Sequence, residues 1–360
     1  MNFSRFYAVY YQLFIIFISI FYQFSQKNVD FCVDAWYTEI VLRRGKRSSH
    51  RRDGRSRGQR NGGKNTASFG HQSYTIGPKT VYLKWIKTNH RDIRIVRPGA
   101  GQNVYSYCNS LPANAKLYGV NGTFYFTQTP SLPGYSTNDI HKISMYNSNP
   151  GVANAQSVRP VGTTNQDNAG LMFCQNQTSS AIPNYVYSDI YEGTLANYRY
   201  QGQHSLDMTN IRWAVGGFGL YLDSTFADAQ AYHSRISADG APYLLGLAPR
   251  TAIFYIGRSY IGENTVLFTV FNDAKLYDGS SSSLSRRTIE GGDAYDGVTP
   301  YELRSIIKDV FPTATTHGII LDGGGSTGIA YKNASGGIYA QMVDNGGSPR
   351  IANTMIVTPM

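Results

Sequence analysis

The stretch Gly318 to Tyr331, reading GIILDGGGSTGIAY, sets one carboxylate, Asp322, between an apolar run and three consecutive glycines. Apolar residues on both sides read as strand, tight turn, strand. Gly323, Gly324 and Gly325 reach positive φ at little steric cost. Lacking Cβ, they let a ligand approach the backbone so that amide N–H groups meet an anion. A lone Asp-Gly-Gly-Gly-Ser is equally the pattern of a solvated hairpin, so its meaning depends on what else the chain offers.

Three further segments close an apolar run with small and polar residues: Val120-Asn-Gly-Thr-Phe-Tyr125, Ala248-Pro-Arg-Thr-Ala252 and Pro349-Arg-Ile-Ala-Asn353. Taken in chain order, with Gly216-Gly217 ahead of Leu222-Asp223, these blocks resemble the phosphodiester glycosidase family. That family's best-known activity removes N-acetylglucosamine from a phosphodiester on mannose. The resemblance spans roughly Val81 to Val357. It departs from the family pattern at Thr123 and Phe254, where glycine is usual, and Thr123 adds a side chain beside the implied sugar pocket.

The resemblance implies hydrolysis of a sugar-1-phosphodiester. Such a substrate carries a negative charge next to the anomeric carbon, and a guanidinium fork matches two phosphate oxygens in a way that a lysine does not. Arg250 and Arg350 are therefore the phosphate candidates. Glycosidic cleavage normally employs two carboxyl groups. A phosphodiester leaves readily without a proton, so one carboxylate suffices: Asp322, as base for water or stabiliser of the anomeric cation. Asn121 is expected to hydrogen-bond a sugar hydroxyl or carbonyl. The implied substrate-binding set adds Gly122, Gly217, Thr251, Gly323, Gly324, Gly325, Ser326, Thr327 and Asn353. Glu290, Asp293 and Asp344 are weaker second carboxylates, and His317 precedes the Asp322 strand. No zinc, Walker or paired Cys-x-x-Cys motif occurs, so no metal or cofactor is expected. The reading from a different class is a catalytically silent glycan-binding or structural module.

These residues must be positioned by a β-rich scaffold. In 360 residues there are 28 Tyr and 37 Gly, and the strand patterns are short: 81–86, 93–96, 116–120, 211–215, 251–256 and 266–270. One helix is legible. Thr299-Pro300-Tyr301-Glu302 supplies N-cap, N1 proline and capping-box Glu, and Leu303, Ile306, Ile307 and Val310 follow at i, i+3, i+4 and i+7. Pro312 ends it, and its apolar stripe is expected to pack on the sheet that carries Asp322. The fold class expected is α+β, a β-rich mixed-sheet domain with few helices over residues 67–360, the stretch from Pro130 to Gln203 forming loops and edge strands.

Ahead of it, residues 1–27 hold the apolar run Phe6 to Phe24, just long enough to span a membrane, and residues 28–66 form a basic linker expected to be flexible. Ten Lys/Arg and one Asp between Arg43 and Lys64 carry +9 of the net +10. The remainder is nearly neutral, so a nucleic-acid groove is not expected in the domain. The partners expected are a phosphorylated glycan and, through the N-terminal run, a membrane. A membrane-anchored or secreted protein with an extracytoplasmic domain follows, while cleavage of the run and its topology stay open. Cys32, Cys108 and Cys174 have no metal-ligand spacing, and a Cys108–Cys174 bridge is open. Asn176 and Asn333 begin glycosylation sequons.

Overall fold

The computed structural model describes residues 67–99, 101–125, 144–146, 170–175, 185–187, 199–200, 204–205, 211–238, 244–256, 263–271, 275–280, 283–288, 297–313, 317–343 and 351–360. All belong to one contact unit, Gly63–Met360. The anchor and linker expected over 1–66 lie outside them, as do Arg350, Glu290, Asp293, Asp344, Asn176 and Cys32.

The described part is mostly β-sheet with three α-helices. Nine strands build one sheet. Its main path runs β1 (Ser68–Ile76), β2 (Lys79–Thr88), β12 (Thr265–Phe271), β11 (Arg250–Tyr255), β15 (Gly318–Ile320), β10 (Ile211–Gly219), β6 (Gly170–Gln175) and β7 (Tyr185–Tyr187), and β5 (Ser144–Tyr146) also pairs with β10. Seven build the other, in the order β14 (Ser283–Thr288), β13 (Lys275–Ser280), β17 (Ile338–Val343), β16 (Gly328–Lys332), β4 (Leu117–Asn121), β18 (Met355–Pro359) and β3 (Arg94–Val96). A short pair, β8 (Arg199–Tyr200) with β9 (His204–Ser205), stands apart. Every described pairing is antiparallel, where a mixed sheet was expected.

Burial explains why the central strands are apolar on both faces. Ile253, Leu267 and Ile319 from the first sheet meet Val120, Ile329 and Ile356 from the second in one core. On its other face the nine-stranded sheet buries Ala252, Phe254, Phe268 and Ile320 against α3 (Pro300–Val310) through Leu303, Ile306 and Ile307. Helix α1 (Val104–Ser110) covers the outside of the second sheet with Val104 and Cys108 against Ala330, Met342 and Met355. Helix α2 (Ala229–Ala238) packs Tyr232 and Ile236 on Phe124 and Phe218. A strand covered on both faces has no solvent side on which to alternate, and β12 is accordingly buried at all seven residues.

The capping box of α3 forms as read: Thr299 Oγ1 accepts from Glu302 N at 3.2 Å and Glu302 Oε2 accepts from Thr299 N at 2.8 Å. Glu302 also takes an ion pair from Lys79 at 3.0 Å, tying the helix start to β2. Cys108 and Cys174 are both buried. They belong to different cores, one under α1 and one between the sheets, so they form no bridge. Among the described residues no helix is long and apolar enough to cross a membrane.

Candidate functional site

The Asp322 turn is no hairpin. Its two flanking strands, β15 and β16, belong to different sheets, and Asp322 to Thr327 is the passage between them, tightened into a 3₁₀ turn at Gly324–Ser326. Gly324 takes φ +58°, which is why glycine stands there. Antiparallel pairing with β11 continues past the end of β15: Leu321 N donates to Thr251 O at 2.9 Å and Gly324 N to Pro249 O at 2.8 Å. The backbone of Asp322 is held between those two bonds, beside Arg250.

Asn121 joins the two sheets at this point. It ends β4 in the second sheet, yet its amide nitrogen donates to Asp322 O at 2.7 Å. Its carbonyl accepts from Thr251 Oγ1 on β11 at 2.6 Å and from Gly328 N on β16 at 3.0 Å. The next residues continue the junction. Gly122 O accepts from Asp322 N at 3.2 Å, Gly122 N donates to Thr354 O at 2.8 Å, and Thr123 Oγ1 donates to Gly216 O at 2.6 Å. The Asn121, Gly216-Gly217, Arg250-Thr251 and Asp322 blocks and the residues next to Asn353 thus meet within one hydrogen-bonded junction, although they are spread over the chain.

Several roles differ from those expected. Asn121 is 2 % exposed, and its carbonyl oxygen serves two protein donors, so it positions the Asp322 turn rather than reaching for a sugar. Arg250 is no bidentate phosphate clamp. Its Nε donates to Val298 O at 3.1 Å, while Nη2 donates to both Leu244 O and Gly246 O. Either two-nitrogen edge that contains Nη2 is therefore spent on carbonyls. Burial lowers this guanidinium to about 10, and among the described residues no carboxylate pairs with it. Two of the three glycine amides are engaged within the protein, Gly323 N donating to Asp322 Oδ1 and Gly324 N to Pro249 O, and Ser326 N and Thr327 N donate to Gly323 O and Gly324 O.

Gly122 and Gly217 serve close packing. A Cβ on Gly217 would overlap the Ile320 carbonyl of β15, and one on Gly122 would overlap Thr354. Thr251 is fully buried, and Asn353 lies half-buried just ahead of β18. His317 sits at the opposite end of β15, its Nδ1 4.0 Å from Asp223 Oδ2, and so is no part of the Asp322 junction. Among the described residues no three His, Cys, Asp or Glu side chains are grouped to hold a metal.

Tyr125 was not singled out from the sequence. Its hydroxyl lies 3.4 Å from Ser326 Oγ and 3.5 Å from Ile351 O, linking the Asn121 segment to the turn and to the C-terminal segment. The tyrosine closing the Asn-Gly-Thr-Phe-Tyr block was the available signal.

No family model matches the sequence, and no curated protein matches it. A hypothetical protein from Synechocystis of solved structure aligns at 12% identity and a TM-score of 0.37, covering 82% of this chain. The alignment spans 62% of that protein's length.

Proposed function

We propose that the protein is a glycosidase that hydrolyses a sugar-1-phosphodiester, with Asp322 as the carboxylate at the anomeric carbon. The observation that supports this reading is the junction at Asp322. A carboxylate-bearing turn stands where β4, β11, β15 and β16 meet, and Asn121 holds it from the opposite sheet. Preorganised placement of a charged group toward developing charge is how enzymes lower such barriers. Asp322 either accepts the proton of the attacking water or stabilises the oxocarbenium-like centre, and the phosphate departs as an anion without needing an acid. The membrane-tethered or secreted setting, and a phosphorylated glycan of an envelope or exopolysaccharide as substrate, belong to the same proposal.

The test is turnover on a panel of sugar-1-phosphodiesters, with Asp322→Asn beside the parent. That substitution keeps size and removes charge, so turnover is expected to fall by at least about 10²-fold while substrate still binds. A near-parental rate for Asp322→Asn would assign the chemistry to another carboxylate. A parent inert on the whole panel would return the chain to a non-catalytic glycan-binding role.

A further inference from the structure

The outer strands of an open sheet present backbone groups that no neighbouring strand serves, and proteins blunt such edges by keeping them short or by charging them. Among the described residues the main paths of the two large sheets end in β1, β7, β14 and β3. β7 and β3 are three residues long, and β14 carries Arg286 and Arg287. β1 has neither protection. It runs for nine residues, SFGHQSYTI, without Lys, Arg, Asp, Glu or Pro. Its register with β2 is unbroken from Ser68 opposite Lys87 to Ile76 opposite Lys79, so no bulge twists the edge away. Among the described residues no strand pairs with its outer side, and Ser68, His71, Gln72, Ser73 and Thr75 are exposed.

We propose that β1 is an interaction surface for a second copy of this chain, the two β1 strands pairing antiparallel about a two-fold axis so that the nine-stranded sheets join edge to edge. Three observations select that partner. An uncharged strand sets no like charges against itself when it meets its own copy. The register that overlaps all nine residues puts Gln72 opposite Gln72 of the copy and Gly70 opposite Tyr74, so an aromatic side chain stands across from the edge glycine. The third is the basic segment Arg43 to Lys64, which carries +9 and lies just ahead of β1 in the chain. Antiparallel pairing sets the two points of entry about 27 Å apart, well beyond the screening length of about 8 Å at physiological salt, whereas parallel pairing brings them side by side. A two-fold contact of this kind closes on itself, so association stops at the dimer.

The test is disulfide trapping in the full chain, held in mild detergent micelles that solvate the N-terminal apolar run. Gln72→Cys sets a thiol opposite its own copy, where the Cα atoms of facing strand residues lie about 4.5–5.5 Å apart, within disulfide range. Thr75→Cys, also at an exposed position, is the control, because its two copies would stand about 20 Å apart. Under mild oxidation Gln72→Cys is expected to link two chains through the substituted positions about tenfold or more faster than Thr75→Cys, as read by peptide mapping. Light scattering of the parent is expected to give the mass of two chains. Gln72→Lys, which brings two ammonium groups face to face, should weaken that association about fivefold, and mixing it with Gln72→Glu should restore it. Thermal melting at the parent temperature establishes that each variant folds. A parent of single-chain mass overturns the proposal. So does equal trapping at positions 72 and 75, which is random collision, or a dimer that Gln72→Lys leaves unchanged, which belongs to another surface. Slow hydrogen exchange along the outer side of β1 in a single-chain protein would make the segment before residue 67 the occupant, and overturns it as well.

Discussion

Shortening Asn121 would orphan three groups at once: the Thr251 hydroxyl, the Gly328 amide and the Asp322 carbonyl. With about 1–3 kcal/mol for each buried group left unpaired, and some relaxation, Asn121→Ala is expected to cost on the order of 3 kcal/mol in urea unfolding. Asp322→Asn, nearer the surface, should stay within about 1 kcal/mol of the parent, the usual effect of a surface change. Arg250→Lys separates two roles. A lysine keeps the charge but is one point donor where three carbonyls need serving, so the variant should unfold at clearly lower temperature even without ligand. Unchanged melting would return Arg250 to the phosphate. Asn121 and Asp322, which meet in the junction, stood out in the sequence because polar residues closing an apolar run are unusual locally. Their partners were not, since the Asn121 to Asp322 bond closes 201 positions of chain and nothing local marks its far end.

Elements were legible where their own residues carry the signal. Helix α3 declares itself by its capping box and stripe, and the six strands read from apolar runs all form. Helix α1 escaped notice because it is seven residues long, with Asn103 and Ser106 as its capping pair. Strand β1 escaped because it is a half-exposed edge. Periodicity also cannot say which sheet a strand joins, so the runs flanking the Asp322 turn read as a hairpin when they bridge two sheets. The 3₁₀ turn His90–Asp92 carries its own prediction. His90 is buried, and its Nδ1 meets Asn264 Nδ2 at 2.6 Å. Asn264 Oδ1 accepts from His90 N and Thr265 Oγ1, so the amide nitrogen is the donor and Nδ1 the acceptor. Burial first, with Arg91 and Arg212 pushing the same way, lowers the imidazole to about 4. An unfolded histidine titrates near 6.5, so the unfolded state binds the extra proton between those values. The stabilisation is complete above about pH 6.5 and is lost as pH falls toward 4, amounting to about 3 kcal/mol. His90→Gln should flatten that part of the stability profile, measured by urea unfolding across the range.

At the scale of the whole molecule, the layers α3, first sheet, second sheet and α1 share three cores built from residues beyond 66. Removal of residues 1–66, which hold the long apolar run and nearly all the excess charge, should leave a domain that melts cooperatively. Loss of the cooperative transition would make that segment part of the fold. The thiols extend the test: Cys108 and Cys174 are buried, with their thiols pushed up to about 12 and about 11, so both should resist alkylation until the domain unfolds, as read by peptide mapping. The placing of β18 governs the order of events in time. It lies between β3 and β4, pairing Val96 to Met355 on one side and Asn121 to Met355 on the other. Strands made early are therefore neighbours of a strand made more than two hundred residues later, and not of each other. On the ribosome, β4 and the Asn121 end of the site stay without that neighbour until residues 355–359 emerge. The nascent chain must carry its apolar second sheet unclosed until that strand emerges, and only then can the site assemble.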